Sequence, residues 1–121
     1  MKATSKHLEL YKKEVLRWLD DFKISGWEYH FEFDEKDEEN TAGAKWSLEG
    51  RTITFELSRN QEKKNLTENA INISALHEVL HVIFARLMTL ASRRYTSETE
   101  IKESAEETVN TLINYILKEK K

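Results

Sequence analysis

Ser74-Ala75-Leu76-His77-Glu78-Val79-Leu80-His81-Val82-Ile83-Phe84 is the stretch around which the rest of the chain must be arranged. Apolar residues crowd both sides of its histidines and continue through Leu87 and Met88, so the pattern predicts a helix buried nearly all round. Residues four apart on a helix lie one above the other, so the imidazoles of His77 and His81 leave one face and converge on one point. Glu78 reaches the edge of the same point. Two core histidines satisfied by backbone or carboxylate partners would be the bland explanation. Burying two imidazoles and a carboxylate with no common purpose is costly, however. His77-Glu78-x-x-His81 instead offers two nitrogen ligands to a metal ion, and a carboxylate able to take a proton from a water that the ion activates. Each imidazole then needs an acceptor for its second ring nitrogen, so further polar groups should gather here.

The composition narrows what can complete such a site. At 121 residues the chain has room for one core, and residues 1–121 are read as a single domain. A net charge of −3, with 34% charged residues, argues against a nucleic-acid-binding surface as its main business. Cysteine is absent, which removes disulfides and thiolate sites, so a zinc ion must be held by histidine and carboxylate. No apolar run approaches the roughly 18 residues of a membrane span, and the first residues lack the apolar segment of a signal peptide. The expectation is a cytoplasmic protein with no membrane partner.

Outward from the central helix, the periodicities predict an α+β fold. Residues 4–23 read as an amphipathic helix with Leu8, Tyr11, Val15, Trp18, Leu19 and Phe22 on one side, ended by Ser25-Gly26. Residues 27–33 alternate with period two, with aromatics on one face and Glu and His30 on the other, so neither His30 nor the solvated His7 is expected at the site. The acidic run 34–40 reads as a solvated loop. Residues 44–49 and 51–58 flank Gly50-Arg51 as a hairpin, giving a small three-stranded, antiparallel-rich sheet with helices on one side. Residues 59–65 read as a polar loop. Thr67 is placed as the N-cap of a His77 helix that runs to about residue 91. A turn at 92–97 and a last helix over 99–118 complete the chain. The apolar stripe of that helix is read as Ile101, Ala105, Val109, Leu112, Ile113 and Ile116.

Two histidines leave a zinc site incomplete, since a catalytic site has three protein ligands and keeps one position for water. The remaining candidates are Glu98, Glu100, Glu103, Glu106 and Glu107 on the last helix. At about 100° per residue, Glu106 lies at the edge of the predicted stripe, and Glu103 and Glu107 turn outward. At this point the chain resembles the gluzincin metallopeptidases, in which a glutamate on the next helix completes an H-E-x-x-H site. Small phage-encoded metallopeptidases look similar, and the order helix, three strands, His helix, Glu helix is similar to the minimal single-domain gluzincins. The resemblance implies that Asn110, four residues after Glu106, orients a ligand. Larger members add a subdomain that supplies a His or Tyr to stabilise the oxyanion. No stretch of these 121 residues is long enough to be such a subdomain, and Tyr95, in the turn between the two helices, is the nearest candidate for that work.

The expected activity is therefore hydrolysis of peptide bonds at one Zn2+ ion held by His77, His81 and Glu106, with Glu78 as general base. A peptide or protein substrate is expected to lie as an extended strand along residues 51–58. The alternative is a non-catalytic zincin-fold module that binds a partner protein.

Overall fold

Helix α1 (Ser5–Asp21) begins where the Thr4 backbone N–H donates to His7 Nδ1 at 2.9 Å. It stops before the expected Ser25-Gly26. Lys23 adopts the left-handed conformation (φ 60), and the Ile24 N–H reaches back to the Leu19 carbonyl at 2.9 Å. The computed structural model describes residues 1–36, 40–93 and 97–119, with the side chains of Leu117 and Glu119 left aside.

The three strands are β1 (Glu28–Asp34), β2 (Ala42–Ser47) and β3 (Thr52–Ser58), in the spatial order β1-β3-β2. β2 and β3 form the expected antiparallel hairpin, Ala44 opposite Phe55 and Trp46 opposite Ile53. In its turn Arg51 (φ 53), not Gly50, takes the left-handed conformation. β1 pairs with the other edge of β3 and runs parallel to it, so the sheet is mixed rather than antiparallel-rich. One antiparallel edge is what a tight turn guarantees; β1 joins β2 through a longer connection that leaves its direction free. The alternation of β1 is as predicted, with Tyr29, Phe31 and Phe33 half-buried and Glu28, His30 and Glu32 exposed. Ile53, Phe55 and Leu57 of β3 are fully buried and meet Tyr11, Val15 and Leu19 of α1 in the core.

Thr67 caps helix α2 (Glu68–Ile83) as expected, its Oγ1 accepting the Ala70 N–H at 3.2 Å. The helix does not continue to residue 91. It ends at Ile83, and α3 (Ala85–Ser92) leaves at 51°. A short 3-10 turn, Lys63–Leu66, takes up the end of the expected polar loop and buries Leu66 just beyond it, before α2. Helix α4 (Glu98–Glu119) matches its predicted span, but only part of the predicted stripe, Ile101, Ala105 and Leu112, is half-buried. Ser104 and Thr108 are buried and Leu112 and Tyr115 half-buried, whereas Val109, Ile113 and Ile116 are exposed. Thr108 Oγ1 donates to the Ile83 carbonyl at 3.3 Å, at the α2–α3 bend, and Tyr115 lies 4.3 Å from Phe22 between ring centres. Among the described residues, no single helix is long and apolar enough to cross a membrane.

One feature of β2 gives a stability prediction. A Cβ built on Gly43 meets nothing within 4 Å, and the residue sits inside a strand, where glycine is entropically costly. Gly43→Thr should raise the unfolding free energy by about 0.5–1 kcal/mol in urea titrations. A loss of that size would mean that the outer face of β2 is covered.

Candidate metal centre

The roll of α2 is fixed by Ile71, Ala75, Val79 and Val82, which turn into the core and are almost fully buried. That leaves His77 and His81 on the open side of the helix, with the His77 side chain 67% exposed. The expectation of a helix buried nearly all round is thus corrected: Ile73 is also exposed, and apolar content alone does not reveal which flank stays open. Glu78 lies between the two sides and is buried.

The Nε2 atoms of His77 and His81 are 3.1 Å apart, with ring centres at 4.8 Å and planes tilted by 69°. Two nitrogens bound to one tetrahedral zinc ion, each at about 2.0–2.1 Å, would stand about 3.3–3.4 Å apart. The pair therefore fits a shared ion after a shift of a few tenths of an ångström. The same distance suits one N–H···N bond between neutral rings. Glu78 Oε1 is 3.9 Å from His77 Nε2, and one ligand atom from each of the three residues lies within 4.8 Å of the others. Burial raises the Glu78 pKa, and the two imidazoles pull it partly back. A carboxyl so placed takes up a proton more readily than an exposed one.

A cleft of about 630 Å³ opens over these groups, between α2 and the edge strand β2 with the residues before it. Asn40, Thr41 and Gly43 line its far wall, and Thr41 Oγ1 meets Ser74 Oγ at 3.2 Å across it. Trp46, at one end, is pinned by its Nε1, which donates to Thr89 Oγ1 of α3 at 2.9 Å. Sequence reasoning missed this wall. It assigned the strand beside the helix to residues 51–58, but β3 is the central strand and both its edges are occupied. The clue available was the exclusion of β3: a fully apolar inward face (Ile53, Phe55, Leu57) suits a central strand better than an edge.

The other expected site residues are placed elsewhere. Glu106 is exposed, and with Glu103, Glu107 and Asn110 it borders an outer groove lined by α4 residues alone. Among the described residues, neither it nor any other acid of α4 joins the group formed by His77, Glu78 and His81. The reason is the roll of α4: with Ser104 and Thr108 inward, Glu106 and Asn110 point away from α2. Glu107 instead pairs with Arg86 at 2.6 Å. Tyr95 lies outside the described residues. His30 is 3.7 Å from Glu28 on the exposed face of β1, and His7 serves the start of α1, both away from the cleft as expected.

Compared with protein-family models, curated proteins and solved structures, the chain matches none.

Proposed function

We propose that the protein is a metal-dependent peptide hydrolase, its ion held by the Nε2 atoms of His77 and His81 and its general base Glu78. The observation that carries the reading is the convergence of the two Nε2 atoms, 3.1 Å apart, beside a buried carboxylate in a cleft walled by an edge strand. When bound, zinc would supply Lewis acidity, polarising a carbonyl and acidifying water. The protein's own groups do the rest. Glu78 accepts the proton of the attacking water and returns it to the leaving amine nitrogen. The free edge of β2 offers backbone N–H and C=O groups to an extended substrate, which takes over the place expected for residues 51–58.

The third ligand is part of the same proposal. Turning α4 about its axis by one residue, about 100°, would exchange Ser104, Thr108, Leu112 and Tyr115 for Ala105, Val109, Ile113 and Ile116. It would carry Glu106 to the inner edge that Ala105 now holds. The second set is the more apolar, and Val109, Ile113 and Ile116 are exposed by 48%, 44% and 51%. The Ser104 hydroxyl, by contrast, is buried with no partner among the described residues. Glu106→Ala should then weaken zinc binding at least about 100-fold and Asn110→Ala about 10-fold to 100-fold, while Glu103→Ala leaves it near wild type. Equal affinities in all three variants would remove α4 from the site.

A second reading is favoured by the position of Glu106: the chain is a zincin-like module that binds a partner protein without cleaving it. The deciding experiment measures metal content by mass together with cleavage of an unfolded protein, with and without chelator. Stoichiometric zinc and chelator-sensitive cleavage support the hydrolase. Zinc without cleavage favours the binding module, and no zinc uptake at neutral pH sinks the hydrolase and leaves the module only in a metal-free form.

A further inference from the structure

A second cavity, of about 230 Å³, lies behind α2, where the end of α1, the β2–β3 turn, the α2–α3 bend and α4 meet. Its wall carries three cations, Lys23, Arg51 and Arg86, against one carboxylate, Glu107. That leaves two positive charges unmatched, in a chain whose net charge is −3. Lys23 (φ 60) and Arg51 (φ 53) are also the non-glycine residues with positive φ among those described. A side chain in that conformation is strained where glycine would not be. Both strained positions carry a cation, and both border the same cavity.

The arrangement is partly rigid. The Arg51 guanidinium lies 4.2 Å over the Trp27 ring, and its Nε donates to the Gly26 carbonyl at 3.0 Å. Among the described residues the other donors of the fork meet no acceptor, which leaves them to a ligand. Arg86 is held from the opposite side by Glu107. We propose that this cavity binds a phosphate group, either free phosphate or the monoester end of a small molecule. A dianion matches the two unmatched charges, and guanidinium forks suit phosphate oxygens. Trp27 gives an apolar surface for whatever the phosphate carries.

The test is an NMR titration with inorganic phosphate at constant ionic strength, balanced with potassium chloride. Saturable shifts should centre on Lys23, Trp27, Arg51 and Arg86. Arg51→Gln and Lys23→Gly should each weaken the apparent Kd by about 10-fold or more. Lys23→Gly also removes a strained backbone, so its melting temperature should be at or above wild type, and its loss of binding cannot be put down to unfolding. A methyl phosphate titration distinguishes the monoester source from free phosphate, and acetate should bind far more weakly than either. Shifts that potassium chloride reproduces, acetate binding as tightly as phosphate, or Lys23→Gly binding phosphate like wild type would each overturn the assignment.

Discussion

His77→Ala and His81→Ala should each abolish stoichiometric zinc binding while leaving the protein folded. Zinc in such a site is held by few ligands at about 2.0–2.1 Å, and the directional bonds to two imidazoles supply much of its affinity. Losing an outer partner of a ligand already lowers affinity about 10-fold to 100-fold. Losing a ligand itself should therefore cost at least about 100-fold. The fold should tolerate the change, because His77 is largely exposed and the inward line of α2 is Ile71, Ala75, Val79 and Val82. Competition titrations against a chromophoric chelator would measure the affinity, and circular dichroism would follow the fold. Zinc affinity unchanged in both variants would leave the histidines as a hydrogen-bonded pair and nothing more. Loss in only one would place the ion on a different ligand set.

The parts of this site that could be read from sequence are those fixed by local geometry. The i, i+4 relation of His77 and His81 needs nothing beyond a helix, and the Thr67 cap and the β2–β3 hairpin need only their own neighbourhoods. Three features depended on tertiary partners and were misread. The break after Ile83 carries neither Gly nor Pro, so the apolar pattern runs straight through it; its freed carbonyl is satisfied by Thr108, from another helix. The direction of β1 was undetermined because its connection to β2 is not a tight turn. On α4 the apolar residues cover a wide arc, wide enough for two alternative inward faces. The weaker of these is inward, where Thr108 meets the bend and Tyr115 packs against Phe22. The place of Glu106 follows from that choice: with Ser104 and Thr108 inward, it lies on the exposed side of the helix.

Glu78→Gln should separate the chemistry from the metal. Glutamine has nearly the shape of glutamate, and Glu78 is buried in an environment that already disfavours its charge, so the neutral amide should fold without penalty. Zinc content should stay at the wild-type level, since His77 and His81 are untouched. What disappears is the proton acceptor: an amide cannot take the proton of the attacking water or return it to the leaving nitrogen. General-base catalysis contributes about 100-fold to 10,000-fold, so chelator-sensitive cleavage should fall by that factor, with the loss in kcat rather than KM. The measurement is steady-state cleavage of a quenched fluorescent peptide, with zinc content determined on the same sample. Equal turnover by variant and wild type would show that another group takes the proton. Loss of zinc along with activity would show that Glu78 is itself a ligand, completing with His77 and His81 the three-residue group that the structure already brings within 4.8 Å.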